Sequence, residues 1–406
     1  MNKIKLCLGT FHVAAIRTLG GNCAWLSLVF LAVASAVSCT TKKSLSNFGD
    51  ECRTETIDVQ KDGFISQLDT NEYRISVEAT LTLPESSALL SPKRLKYDEG
   101  HFYIQTEGRN QTIWVFDSTG NYVSRLGERG RKRNEYQTDI TDWFHVSESN
   151  DVVVYEKNAR KVHVFSLDGS KSEAFILKSW PNAVGVLDEG KLFCSFSQKE
   201  AKEGLQLALL SEDEGLLSRY IFLGEDMEFV PSDQSFYKVG DRLYHVPNLA
   251  DSAIVFHADT VEKVVQLRFA DGFLPDDIRE EAFADRLEAY HAFAGVKCVD
   301  GYYETSRYRV VCFVYGDYCM NQLIDKTTGQ QYRFLSALPK GLFPSTVFCV
   351  RGDKLYYLFT KEDVEELRIL LNADVYAESL RQSSSVIQDI CNGKVPLPAI
   401  VSLTIK

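Results

Sequence analysis

VFDSTGNYVSRLGERGRKRNEY, residues 115–136, holds two apolar runs around a polar turn at Gly120, then a loop carrying Gly127, Gly130, Arg129, Arg131, Lys132 and Arg133. The first half reads as a β-hairpin, because β-branched and aromatic residues flank a turn in which Asp117 can bond its own backbone. The second half raises an alternative, since glycines beside cations can offer backbone N–H groups and positive charge to an anion. A Walker loop needs four residues between its glycines and then Lys-Ser/Thr, whereas two residues separate Gly127 from Gly130 and Arg131 follows. No GxGxxG fits here either.

The hairpin unit recurs in VFSLDGSKSEAFIL (164–177), ALLSEDEGLLSRYIFL (208–223), VFHADTVEKVVQLRF (255–269) and QLIDKTTGQQYRFL (322–335). The residues before each turn, Phe116, Phe165, Leu210, Phe256 and Ile324, are 49, 45, 46 and 68 apart. Intervals of about 40–50 suit a four-stranded propeller blade. The fold class is therefore all-β, a six-bladed β-propeller over residues 72–406, with blades near 92–130, 139–178, 182–224, 235–269, 298–335 and 345–360. The last blade needs a strand from a chain end to cover its open edge, and YRISVEATLTL (73–83) and AIVSLTIK (399–406) are the candidates.

The long interval contains DGFLPDDIREEAFADRLEAYHAFAG (271–295), with Ile278, Phe283, Leu287, Tyr290 and Phe293 at near-helical spacing. It reads as a short helical insertion packed across one propeller face, with a lid as the functional alternative. A second helical segment, 361–382, links the last blade to the closing strand.

Residues 1–38 carry Lys3, Lys5 and Arg17, no acid, and the apolar run CAWLSLVFLAVASAVS (23–38). This is the layout of a secretory signal, and 16 residues fall short of the roughly 20 that span a bilayer. Ala36-Val37-Ser38-Cys39 resembles a bacterial lipobox, which makes Cys39 the expected lipidation site; cleavage after Ala34-Ser35-Ala36 is the rival. Residues 39–71 are polar and aperiodic, as a flexible tether is.

Without the signal, 42 basic residues face 56 acidic ones, a net charge of −14 that disfavours nucleic acid as a partner. Seven cysteines follow Cys39, an odd number in a chain long enough to fold without a disulfide framework. Cys312 and Cys319 bracket a turn at Gly316-Asp317, where thiols in the core, a disulfide, or a nucleophile would each fit the spacing.

In IWVFDSTGNYVSRLGERGRKRNEY, in DSAIVFH ahead of LRFADGFLP, and in the terminal T-I-K, the chain resembles a Bacteroidetes family of secreted six-bladed propeller lipoproteins, of the same architecture as NHL and TolB-like propellers. Phe116, Asp117, Gly120, Gly127, Gly130, Glu135 and Tyr136 match the family pattern F-D-x-x-G, then G-x-x-G-x-G-P-x-E-Y; Lys132 and Arg133 replace its Gly-Pro. The resemblance implies the propeller and carries no established activity.

Catalytic motifs are lacking: there is no G-x-S-x-G, no H-x-x-x-H, and no D-x-D-x-D-G loop. His245 and His257 are placed to converge from adjacent strands. Some six-bladed propellers hold Ca2+ in the channel and act as lactonases, and Glu135, Asp139 and Asp142 are the acids that such a site would use here. The preferred expectation needs no cofactor: a non-enzymatic envelope lipoprotein that binds a protein or glycan partner. Arg129, Arg131, Lys132 and Arg133 form the candidate patch for an anionic partner, and the membrane is met through the N-terminal lipid. TTKKS after Cys39 lacks an acidic export cluster, which favours the periplasmic side of the outer membrane over the cell surface.

Overall fold

A computed structural model describes residues 52–406 except 65–67, 70, 85–91, 133, 188–190, 197–204, 212–215, 223–235, 248–249, 276–277, 279–282, 335–347 and 371–382. The signal segment, Cys39 and Arg133 lie outside the described residues. Two strands precede the first full blade: β1 (Arg53–Val59) and β2 (Tyr73–Thr80). Blade 1 is β3 (Pro92–Asp98), β4 (His101–Thr106), β5 (Thr112–Asp117) and β6 (Tyr122–Leu126). Blade 2 is β7 (Asp142–Val146), β8 (Asp151–Glu156), β9 (Lys161–Ser166) and β10 (Ser172–Ile176). Blade 3 is β11 (Ala183–Gly185), β12 (Lys191–Ser195), β13 (Leu205–Ser211) and β14 (Leu216–Phe222). Blade 4 is β15 (Phe236–Val239), β16 (Arg242–His245), β17 (Ser252–His257) and β18 (Thr260–Phe269).

Helix α1 (Phe283–Ala292) then leads into blade 5, formed by β19 (Val296–Glu304), β20 (Tyr308–Tyr315), β21 (Tyr318–Asp325) and β22 (Gln331–Phe334). Blade 6 begins with β23 (Phe348–Arg351) and β24 (Lys354–Phe359). Helices α2 (Lys361–Leu370) and α3 (Ser385–Cys391) follow, and β25 (Ala399–Ile405) returns to the sheet. The blades fall where the repeat interval places them.

Blades 1–5 are each built on a four-stranded antiparallel meander, and packing on both faces explains why strands such as β5 read as continuous apolar runs rather than alternating ones. In β5, Trp114 and Phe116 join a cluster with Tyr356, Leu358 and Ile400 of blade 6. Ile113 and Val115, one residue out of phase, pack with Trp143, Val152 and Val154 of blade 2. Successive side chains thus serve opposite neighbours, as the period of two in a strand requires.

Both closing candidates are used. In blade 6 the order is β2-β25-β24-β23, so the C-terminal strand is third and the N-terminal strand is outermost, paired antiparallel from Tyr73↔Ile405 to Thr80↔Ala399. Closing the ring this way joins the two ends of the propeller chain by a ladder of hydrogen bonds, and covers the edge that β25 would otherwise expose.

The tether expected over 39–71 is corrected by β1. Residues 53–59 pair parallel with β18, from Arg53↔Lys263 to Val59↔Phe269, and add a fifth strand to blade 4. The physical reason lies in TETIDV: Ile57 and Val59 are buried, while Glu55 is held by Lys263 at 2.8 Å and by Arg309. The chain then crosses to blade 5, where Arg333 N donates to Gly63 O at 2.8 Å and Gln331 Nε2 donates to Asp58 O at 2.7 Å.

The insertion does form a helix, α1, beside a small cluster of Leu274, Cys298, Phe273, Ile278, Tyr290 and Phe293. In α3, Ser384 caps the first turn by accepting from Ile387 N at 3.3 Å, and Ile387, Ile390 and Cys391 are buried. No helix among the described residues is long and apolar enough to cross a membrane.

Candidate functional site: the central channel

The innermost strands surround a cavity of about 340 Å³, lined from β3, β7, β15, β19 and β23. Its charge is unlike that of the chain. Lys93, Arg94, Lys96, Lys238 and Arg351 line it against Asp98, Asp142 and Asp300, a cationic surplus in a protein of net charge −11. The signal was present in β3, PKRLKYD, whose three cations, Lys93, Arg94 and Lys96, are unusual for a strand at the centre of a fold.

The cations reach from blade to blade. Lys96 Nζ pairs with Asp142 Oδ1, donates to Trp143 O at 2.7 Å, and lies 4.4 Å from the Trp143 ring centroid. Arg94 Nη1 donates to Thr141 O at 2.6 Å and lies 3.9 Å from the same Asp142 oxygen. Arg351 Nη2 meets Asp98 Oδ1 at 2.9 Å, and Lys238 Nζ donates to His145 O at 2.7 Å. Burial pulls the Lys96 ammonium below the usual lysine range; Asp142 opposes that shift and Arg94 adds to it. Two cations therefore share one carboxylate.

Asp142, Tyr103 and His145 are nearly inaccessible, yet Asp142 Oδ2, the Tyr103 hydroxyl and His145 Nδ1 have no hydrogen-bond partner. Burial, with Asp98 and Glu99 nearby, raises the Tyr103 phenol far above its ordinary range, so it stays protonated and able to donate. Buried polar atoms are ordinarily paired, and these three, on residues of the cavity wall, are not. Across the channel, Tyr237 stacks on Tyr303 with centroids 4.9 Å apart at 17°. Gly301 makes room for that pair, because a Cβ there would lie 2.5 Å from Tyr237 Cε2.

Thiol chemistry is suppressed in this region. Burial pushes the Cys349 and Cys312 thiols up to about 12, far from a thiolate at neutral pH. Cys312 and Cys319 are not joined in a disulfide; they lie diagonally across the β20–β21 hairpin, where Val314 faces Cys319 and Asn321 faces Cys312.

The loop after β6 is closed by its own residues. Gly127 has φ +68°, and the Tyr136 ring lies where a Cβ would be. Tyr136 is fully buried and donates to Leu126 O at 2.8 Å, while Gly130 N donates to Tyr136 O at 2.9 Å. Of the candidate cations, Arg129 pairs with Asp139 at 2.8 Å and Lys132 with Glu135 at 3.0 Å; Arg131 is exposed. The structure does not bring Glu135, Asp139 and Asp142 together: the first two serve this loop, whereas Asp142 faces Lys96 in the channel. Among the described residues, no group of three His, Cys, Asp or Glu could hold a metal ion. His245 and His257 do not converge either. His245 is buried against Phe236 and pairs in register with Ile254, while His257 meets Asp241 at 3.1 Å on the surface.

The fold and channel define a six-bladed β-propeller closed by both chain ends. The family described as a domain of unknown function, DUF4934, matches residues 85–388, and the chain belongs to that family. The crystal structure of a protein described as exported, from Bacteroides fragilis NCTC 9343, superposes with a TM-score of 0.69 at 14% identity, covering 87% of this chain and 100% of that one. A DUF4221 member from Bacteroides vulgatus ATCC 8482 gives 0.46 at 12% identity over 83% of this chain and 98% of its own. The PQQ-bound aldose sugar dehydrogenase of Streptomyces coelicolor gives 0.40 at 11% identity over 84% and 100%. No curated protein matches the chain.

Proposed function

We propose that this protein is a non-enzymatic, exported binding module that holds a glycan or protein partner at the opening of its propeller channel. The observation that carries this reading is the channel wall, where cations, stacked tyrosines and unpartnered buried polar atoms meet in one cavity. A secretory-type N-terminus and the likeness to a protein described as exported support an envelope location. Lipidation at Cys39 would anchor the propeller in the outer membrane, facing the periplasm, with the acidic exterior in water.

The test is capture of envelope glycans and proteins by the purified propeller, with wild type compared to Arg94→Gln and Lys96→Met. Saturable capture that both variants weaken supports the reading. Turnover of a lactone or ester panel, or a tightly held stoichiometric Ca2+, would instead favour a channel hydrolase. Cys39→Ala should move the protein from the membrane fraction to the soluble periplasm, and continued sedimentation with membranes counts against the lipid anchor.

A further inference from the structure

We propose that the channel cavity recognises a carboxylate-bearing sugar, an inference that rests on the channel reading above and names its ligand class. The requirement for an anion comes from Arg94 and Lys96, which share the single carboxylate of Asp142. Arg94 spends its 2.6 Å hydrogen bond on the neutral Thr141 carbonyl and keeps a quarter of its side chain exposed. An incoming carboxylate would complete the pairing with charge-assisted bonds, which are the strong ones.

A bare anion does not satisfy the rest of the wall. Asp142 Oδ2 is a buried acceptor without a donor, and it would repel the second charge of a phosphate. The Tyr103 hydroxyl is a buried donor without an acceptor. A ligand that meets both must carry hydroxyl groups as well as its charge, since a hydroxyl both donates and accepts. Tyr237, half-buried and stacked on Tyr303, offers an aromatic face against which the C–H side of a pyranose can pack. The cavity volume of about 340 Å³ is that of a site for one small ligand.

Calorimetric titration of the folded, full-length mature protein tests this with D-galacturonate, D-glucuronate and N-acetylneuraminate as probes, and D-galactose and inorganic phosphate as controls. At least one acidic sugar should bind saturably near one per chain, about tenfold or more tighter than galactose, the loss expected for one charge-assisted bond. Arg94→Gln should cost a similar factor. Tyr103→Phe, which removes only an unpartnered hydroxyl, should weaken binding several-fold without lowering the melting temperature.

Galactose binding as tight as the acids and equally weakened by Arg94→Gln would overturn the acidic-sugar class but leave the channel as the binding site. Phosphate binding as tight as the sugars would overturn the sugar requirement. If none of the probes binds, and Arg94→Gln leaves capture of envelope partners intact, both the ligand class and the channel reading fall.

Discussion

His163 Nε2 lies 2.5 Å from Glu156 Oε2, with both side chains wholly buried, while the other Glu156 oxygen accepts from Gln137 N and Thr138 N at 2.7 Å each. One carboxylate on blade 2 thereby fixes the loop that arrives from blade 1, and does so just ahead of the strand that carries Asp142 into the channel. Burial acts to raise the Glu156 carboxyl, but His163 and the two backbone donors outweigh it and hold it below the usual range. Glu156→Ala removes the acceptor from the buried His163 Nε2 and from the part-buried Gln137 and Thr138 N–H groups, and should cost about 3 kcal/mol, the scale of a broken buried pair. Glu156→Gln, which keeps one acceptor oxygen, should cost less. Guanidinium melts at neutral pH measure both, and a Glu156→Ala midpoint equal to wild type would show that the loop is held by other contacts.

A second buried group makes stability depend on pH nearer to neutrality. His245 stacks on Phe236 with centroids 4.3 Å apart, and burial lowers its imidazole to about 3. Below the ordinary histidine value of about 6.5, the unfolded chain takes up a proton that the native protein refuses, so stability falls with pH. The loss runs from about pH 6.5 down to about 3 and is worth at most about 1.4 kcal/mol per unit. Neither His245 ring nitrogen has a hydrogen-bond partner, so His245→Leu should raise the melting temperature at pH 5 more than at pH 7.5. Equal changes at both pH values would mean that the imidazole takes up its proton as readily in the folded protein as in the unfolded chain.

The blade repeat was legible because it is a local pattern: the recurring hairpins, such as 164–177 and 208–223, are each continuous in the sequence, and burial on both faces keeps the strands apolar. The segment 53–59 was not, since its partners β18 and blade 5 lie over 200 residues away and only Ile57 and Val59 in it are apolar enough to be buried. The candidate site was half legible. Asp142 stood out as an acid near an inner strand, but a one-dimensional reading could not pair it with Lys96, 46 residues earlier, rather than with Asp139 beside it. Its two neighbours in the sequence, Glu135 and Asp139, belong to the loop because β7 turns Asp142 inward and leaves them behind.

Ring closure predicts a sharp difference between truncations. Removing residues 399–406 deletes the third strand of blade 6, burying Ile400, Val401, Leu403 and Ile405, and separates β2 from β24. No cooperative thermal transition should remain. Removing residues up to 60 deletes β1, an added fifth strand, and should leave a propeller of lower melting temperature. Circular dichroism and size-exclusion chromatography distinguish the two, and a folded product from the C-terminal truncation would contradict the closure.

Charge reversal of the loop separates its two roles. Arg131 is exposed, and Lys132 makes its ion pair with Glu135 at the surface, so Arg131→Glu with Lys132→Glu should shift the melting temperature little. Capture of an anionic partner through the loop predicts that the double variant loses it at low salt. Unchanged capture would leave these cations as loop solvation and turn the channel into the sole candidate.

Gly301 gives the most direct test of the tyrosine wall. It sits in β19 where a Cβ would lie 2.5 Å from Tyr237 Cε2 and 2.6 Å from its hydroxyl, so an alanine forces the ring off its stack with Tyr303. Overpacking of this kind costs about 1–3 kcal/mol, which a propeller with continuous cores between blades can absorb. Gly301→Ala should therefore remain folded with a reduced melting temperature, and lose channel binding by more than its stability loss explains. Tyr237→Ala removes the same platform without a clash, and the two should weaken binding alike. If Tyr237→Ala binds as wild type does, the stacked pair is packing for blades 4 and 5 and takes no part in recognition.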